Sequence, residues 1–378
     1  MLLWFSTFGY IWILRLLVFI KPHPLKSPEV YADIAVVIPT LNEENNIVEK
    51  IHNIELCDYP QNRLKVIVVD GGSTDRTVEL VREKISRGKR IKLICLNESR
   101  GKVDQVNHIL MNMGEEIIVF TDADSRLEPS CIRELVHTIM SDPKTALVGA
   151  TVKPKSKLIE EQIHWMFLNY IWWLEGEILS SAGISGVCYA VKQKMIHAIA
   201  QNAIAEDIHL GLDVSARGYR VRICRRAIAY ELRVPQTPRE FVQFRRRRGA
   251  SYINELKHSP VHTNPPIGWR LARFVRLWQL TWISWLSLAT IVTLCFLLAT
   301  RYWTYLFLPL IIFMLSAFLQ ISLLLNHSEK KPGIWALFSA SFRFSIFTFV
   351  SLLSLKKVPS LLGPIGGKKG KHDKSPAA

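Results

Sequence analysis

Two carboxylates, Asp122 and Asp124, stand two positions apart at the end of the run 117–124, Ile-Ile-Val-Phe-Thr-Asp-Ala-Asp. In extended chain, residues i and i+2 share a face, so both side chains can reach one ligand from a strand's end. Carboxylates that close repel unless positive charge lies between them. A hard divalent cation with oxygen ligands, Mg2+ or Mn2+, meets that need and would in turn hold phosphate oxygens. An Asp-x-Asp standing alone is more often a solvated turn or a helix cap. The surrounding elements decide between these readings.

The apolar and β-branched residues before Asp122 read as a buried parallel strand ending at a polar edge. Similar runs at 34–38, 66–69 and 91–96 alternate with segments of helical period, marked by Ile47, Ile51 and Ile54, by Val78, Val81 and Ile85, by Val103, Val106 and Leu110, and by Ile132, Leu135 and Ile139. This alternation predicts right-handed crossovers and a mostly parallel sheet with helices on both faces. Polar residues follow each strand: Thr40, Asn42 and Glu43; Asp70, Ser73 and Asp75; Arg100 and Lys102; Asp122 and Asp124. All fall just past the carboxyl ends of their strands, the edge on which open α/β sheets bind ligands. No Gly-x-Gly-x-x-Gly and no Gly-Lys-Ser/Thr follows the first strand, so neither a dinucleotide nor a P-loop triphosphate site is indicated.

Of the 378 residues 49% are hydrophobic, and these gather at the two ends of the chain, which predicts a membrane protein with a soluble insert. The net charge of +16 suggests nucleic acid first. Many of the charges flank apolar segments, however, where anionic headgroups explain them more simply, so no nucleic-acid partner is expected. Residues 1–20 read as a retained anchor, because Lys21 and Lys26 follow the apolar run. Spans are expected at 277–299, 303–325 and 334–355, the last broken by Arg343, with an interfacial helix at 268–276 before them. The six cysteines are scattered without a Cys-x-x-Cys pair and read as reduced core residues. Trp165, Trp172 and Trp173 read as core or interface residues at helical spacing.

The runs Val36-Val37-Ile38-Pro39-Thr40-Leu41-Asn42-Glu43-Glu44, Val69-Asp70-Gly71-Gly72-Ser73-Thr74-Asp75, Arg100-Gly101-Lys102 and Thr121-Asp122-Ala123-Asp124 occur in order. Together they resemble the inverting glycosyltransferases of family 2, over roughly residues 33–250. The resemblance implies a GT-A fold, a nucleotide-diphosphate sugar and a divalent metal. By that resemblance Pro39, Thr40, Glu43 and Asp70 would hold the nucleoside, Lys102 would lie near the donor, and Asp124 with Asp122 would meet the metal and diphosphate. Gly183-Ile184-Ser185-Gly186 resembles the small-residue loop that admits the acceptor. Ala205-Glu206-Asp207 is similar to the family's Thr-Glu-Asp motif, with Ala205 in place of Thr. Inverting transfer needs a base for the acceptor hydroxyl, which assigns Asp207 with Glu206 supporting it. His209 reads as structural.

The segment Gln243-Phe244-Arg245-Arg246-Arg247-Arg248 resembles the Gln-x-x-Arg-Trp motif of the polymer synthases. Gln243 and Arg246 match, and Arg246 would neutralise a departing diphosphate. Arg247 occupies the Trp position, a departure from the processive pattern. The run also reads in part as a basic membrane-surface helix.

The expected organisation is an anchor and linker over 1–27, a cytosolic GT-A domain over 28–235, basic interfacial helices over 236–276, transmembrane helices over 277–357 and a basic tail over 358–378. The expected activity is transfer of a sugar from a UDP-sugar at the plasma membrane, with the catalytic domain in the cytoplasm. The acceptor is a growing β-linked polysaccharide or, alternatively, a polyprenyl phosphate or membrane lipid receiving one sugar. A non-catalytic scaffold would have lost its acids, yet Asp70, Asp122, Asp124 and Asp207 are all present.

Overall fold

The computed structural model describes residues 9–21, 31–87, 90–96, 101–258 and 264–299. A helix, α1 (Tyr10–Ile20), precedes the first strand, β1 (Ile34–Thr40). There follow α2 (Ile47–Glu55), β2 (Leu64–Asp70), α3 (Thr77–Ser86), β3 (Ile91–Cys95), α4 (Lys102–Asn112) and β4 (Ile117–Thr121). The alternation expected from periodicity is met element for element. All of β1 and β4 is buried, as continuous apolar runs require in a covered parallel sheet. Ile47, Ile51 and Ile54 form the buried stripe of α2, and Ile132, Leu135 and Ile139 that of α5 (Cys131–Met140).

The chain continues through β5 (Ser125–Leu127), α5, β6 (Thr145–Pro154), α6 (Ile159–Ile178), β7 (Cys188–Lys192), α7 (Glu206–Ala216), β8 (Arg220–Glu231), α8 (Pro238–His258) and α9 (Ile267–Ala299). One eight-stranded sheet has the order β3-β2-β1-β4-β7-β6-β8-β5. The first four strands are parallel to one another, and β6 is parallel to β8. β7 runs antiparallel to both β4 and β6, and β5 antiparallel to β8. The sheet is therefore mixed, a correction to the mostly parallel expectation. The antiparallel insertion matters. It brings the amino end of β7 to the edge where β4 ends, with Cys188 opposite Thr121. The loop before β7 is thereby delivered to the acidic turn.

Among the described residues no helix is long and apolar enough to cross a membrane. The described part of α1 is 11 residues, about 16 Å. The span expected at 277–299 is thus not supported, and residues 1–8 and 22–27 of the expected anchor and linker lie outside the described residues. The start of α9 is fastened to the body instead. Arg276 pairs with Glu175 on α6 at 2.6 Å, and the Trp269 indole N–H donates to the Leu212 carbonyl at 3.0 Å. Arg100, the spans at 303–325 and 334–355, and the tail from 358 also lie outside the described residues.

Candidate active site

The loops after β1 and β2 are laced together by their own polar residues. Asn42, at φ 56°, accepts the Thr74 N–H at 2.8 Å through its side-chain oxygen. The N–H of Asn42 donates to Ser73 Oγ, and that of Glu43 to Thr77 Oγ1. Asp70, opposite Thr40 in the sheet, accepts the N–H groups of Gly72 and Ser73, both at 2.9 Å, in an Asx turn. Asp70 and Thr40 are each 2% exposed, and Pro39 is buried beside them. They therefore shape the floor and the loop more than they present open side chains.

A second group gathers at the ends of β4 and α4 and at the start of α7. Gly101 opens α4 at φ 131°, a conformation glycine adopts without strain, and sets Lys102 at the helix start. Lys102 Nζ bridges Asp122 Oδ1 at 2.6 Å and Glu206 Oε1 at 2.7 Å. Although withdrawal from water works against its charge, these two carboxylates hold its pKa well above the usual lysine value. The Gly186 N–H donates to Asp207 Oδ2 at 2.6 Å. A Cβ at Gly186 would come within 3.1–3.3 Å of Lys102 Nζ, Asp207 Oδ2 and Glu206 Oε1, so a side chain there would crowd all three. Burial first, and repulsion from Glu206 second, push the Asp207 carboxyl up to about 7. A carboxylate so tuned exchanges a proton near neutral pH, as a general base must.

Asp124 faces a different cation. Arg233 Nε lies 3.0 Å from its Oδ2, while the same guanidinium lies 2.7 Å from Glu43 Oε1. Burial, then the neighbouring Asp122, raise the Asp124 carboxyl to about 6. Two ion-pair groups, Lys102 with Asp122 and Glu206 and Arg233 with Glu43 and Asp124, thus meet at the acidic turn, with the Gly186–Asp207 bond beside the first. Ser185 is buried in the same loop. Gly183 lies deeper, where a Cβ would meet Trp172, Ile208 and Tyr252 at 3.0–3.1 Å. Gln243 is exposed on α8, and among the described residues no hydrogen bond ties it to the network.

Three participants were not anticipated. Arg233 links Glu43 to Asp124 across the end of β8. Arg248 pairs with the buried Glu231, and its charge helps ionise Asp207. Glu255, on α8, accepts the Ile204 N–H at 2.7 Å and bonds His209 Nδ1 at 2.9 Å. Ala205 offers α7 no side-chain cap, and Glu255 braces the chain entering that helix instead. Arg248 and Glu255 lie on α8 and Arg233 in the loop after β8, and their partners lie too far away in sequence to be read. His209, read as structural, is buried and held by Glu255. The surface reading of the Arg run is corrected in part, because Arg245 and Arg248 turn inward to Glu161 and Glu231. Arg246 Nε is buried without a hydrogen-bond partner.

Asp122 and Asp124 fit a hard divalent cation. They are oxygen donors on one turn, the Asp124 carboxyl is raised by burial first and by Asp122 second, both of which a cation would offset, and Lys102 and Arg233 now meet that negative charge. Among the described residues no group of three or more His, Cys, Asp or Glu is arranged for a metal. Two carboxylates suffice for an ion that keeps waters and phosphate oxygens as its other ligands.

Two family models match the chain. Glycosyl transferase family 2 matches residues 35–196, and Glycosyl transferase family group 2 matches residues 117–321, more than half of the chain. The chain belongs to glycosyltransferase family 2. Among curated members of related sequence, "Probable glycosyltransferase YdaM" of Bacillus subtilis is 29% identical over 58% of this chain and 56% of its own. Poly-beta-1,6-N-acetyl-D-glucosamine synthase of Staphylococcus aureus is 24% identical over 56% and 53%. The chain spans about half the length of these relatives. The mannosyltransferase PcManGT from Pyrobaculum calidifontis, solved with GDP-Man and Mn2+, superposes with a TM-score of 0.68. That superposition covers 93% of this chain and 95% of that one at 21% identity, a likeness of fold. The family 2 enzyme described here thus has the α/β GT-A fold with a mixed sheet.

Proposed function

We propose that this chain is a metal-dependent, inverting glycosyltransferase. It moves a hexosyl or N-acetylhexosaminyl group from a UDP-sugar to an acceptor hydroxyl and extends a β-linked cell-surface polysaccharide. The observation that carries this reading is the meeting of the start of α7, where Asp207 is poised near pH 7 beside Glu206, with the Asp122–Asp124 turn through the Lys102 bridge from Glu206 to Asp122.

Asp207 takes the acceptor proton as that oxygen bonds to the anomeric carbon, and the bond from that carbon to the diphosphate breaks with its electron pair leaving on phosphate. The Gly186 N–H fixes the orientation of the base. Glu206 holds Lys102, so the ammonium is available beside the departing diphosphate. Asp122 and Asp124 would hold Mg2+ or Mn2+, which when bound supplies charge neutralisation to the leaving group. Arg233, half exposed, can exchange its carboxylate partners for phosphate oxygens.

The enzyme works at a membrane in this proposal, with its catalytic domain on the cytoplasmic face of the plasma membrane. Large apolar side chains stand exposed along α1 and α9, including Phe19 at 84%, Phe274 and Phe296. The described cysteines are free thiols, which suits a reducing compartment.

A second reading, transfer of one sugar to a polyprenyl phosphate or membrane lipid, is favoured by Arg247. Burial, Arg248 and Arg233 lower its pKa, which places an arginine among like charges where an anionic acceptor would be welcome.

Membranes containing the protein, given a panel of labelled nucleotide sugars with Mn2+, test both readings. Polymer that disappears in Asp124→Ala and Asp207→Asn is the expected result. A one-sugar lipid would select the second reading. Transfer unchanged in both variants would overturn the assignment.

A further inference from the structure

Lys50, on α2, is the largest charged side chain sealed completely in the core among the described residues, at 0% exposure. It lies on the helix face that carries Ile47, Ile51 and Ile54, where an apolar residue is the ordinary occupant. Its ammonium has three N–H donors, and three acceptors surround it: Thr121 Oγ1 at 2.8 Å, Ser125 Oγ at 2.8 Å and the Ser125 carbonyl at 3.3 Å. These oxygens are neutral, so the charge is kept in the core without the carboxylate that usually accompanies one. Burial accordingly lowers its pKa to about 8, opposed by the Cys188, Cys131 and Cys57 thiols and by Asp122.

The identity of the acceptors is what gives the arrangement meaning. Thr121 ends β4 and Ser125 begins β5, and the residues between them are Asp122, Ala123 and Asp124. One ammonium therefore pins both ends of the acidic turn. From each anchor a second bond continues. Ser125 Oγ donates to the Asp122 carbonyl at 2.8 Å. Thr121 Oγ1 donates to the Val187 carbonyl at 3.0 Å, which also accepts the Asp122 N–H at 3.1 Å. Val187 directly follows Gly186, whose N–H orients Asp207. The network thus runs from Lys50 to the metal-side carboxylates in one direction and to the base-side loop in the other. A methionine would fill the space but tether nothing.

We propose that Lys50 is a positioning residue, holding the Asp122–Asp124 turn in register with the loop that aligns Asp207. This inference rests on the proposed cation and donor role of that turn. The full chain is used for the test, with Mn2+ binding followed by loss of the free-ion electron paramagnetic resonance signal in the presence of UDP and, separately, GDP. Lys50→Met is expected to melt at or above the wild-type temperature, since a costly buried ammonium is gone. The same variant is expected to bind Mn2+ with nucleotide roughly 10–100-fold more weakly, and to turn over more slowly by a similar factor at saturating donor. Lys50→Gln, which keeps N–H donors without the charge, should recover part of both losses. Unchanged Mn2+ binding and turnover in Lys50→Met would overturn the proposal. Tighter Mn2+ binding would overturn it too, by making Lys50 a competing charge. Should Lys50→Met fail to fold, the double variant Thr121→Val with Ser125→Ala removes the acceptors instead, and wild-type Mn2+ binding in that protein would be equally fatal. A wild-type protein that binds Mn2+ with nucleotide yet transfers no sugar would defeat the functional proposal while leaving this comparison intact.

Discussion

Asp207 and Asp124 place the chemistry in two neighbouring but separately tuned carboxylates. With Asp207 raised to about 7 by burial and by Glu206, the sugar-transfer rate should climb with pH up to about 7 and then level. Asp207→Asn should lower it by about 10²–10⁴, the usual worth of a positioned base. The same shift has a stability consequence of definite sign. The folded state binds this proton more tightly than the unfolded chain, so stability from this group is complete below about pH 4 and is lost as pH rises toward 7. Asp207→Asn should therefore raise the melting temperature at pH 8 and leave it nearly unchanged at pH 4, a comparison made by thermal melts at the two pH values. Asp124, raised to about 6, predicts that Mn2+ binding weakens below that pH, because the cation must displace a proton. Isothermal titration at pH 5 and pH 7.5 checks it, and equal affinity at both would remove Asp124 from the ligand set.

At the scale of elements, α8 is the part whose role sequence reading left half-described. Two of its arginines, Arg245 and Arg248, reach back to Glu161 on α6 and Glu231 on β8. Glu161 is wholly buried, so Glu161→Gln would leave Arg245 with a buried, unbalanced charge. A loss of about 3–5 kcal/mol in denaturant unfolding is expected. Glu255 on the same helix fastens residue 204 and His209, and so indirectly the start of α7 where Asp207 sits. Glu255→Ala should reduce kcat more than it raises the donor KM, because Glu43, Asp70, Asp122 and Asp124 stand on other elements while Asp207 stands on α7. A raised donor KM with constant kcat would contradict that division.

For the whole molecule, α6 is the post to which the two apolar-faced helices are tied. Tyr10 on α1 donates to Glu175 at 3.3 Å, and Arg276 on α9 pairs with the same carboxylate at 2.6 Å. Both helices are thereby oriented by one buried acid, and their outward faces carry Leu16, Phe19, Ile20, Phe274, Trp282 and Trp285. Replacing Leu16, Phe19 and Ile20 with serine should reduce cosedimentation with vesicles containing anionic lipid, with no loss of Mn2+ binding. Retention of full vesicle binding would show that α1 is not part of the lipid-facing surface.

Local pattern alone was enough to locate β1, β2, β3 and β4, the helices between them and the acidic turn, while the Glu206–Asp207 pair came from the resemblance to the family motif. Burial imposes a period on neighbouring residues, and turn chemistry is written in consecutive ones, so both survive in the linear chain. Partnership, by contrast, was set by the fold. Arg233 meets Glu43 across 190 positions, Lys50 meets Thr121 across 71, and Arg245 meets Glu161 across 84. The antiparallel placement of β7, which carries Gly186 to the acidic turn, was equally hidden. Such pairings are fixed by which strands lie side by side and by the cost of leaving buried charge unmatched, and neither leaves a mark on adjacent residues.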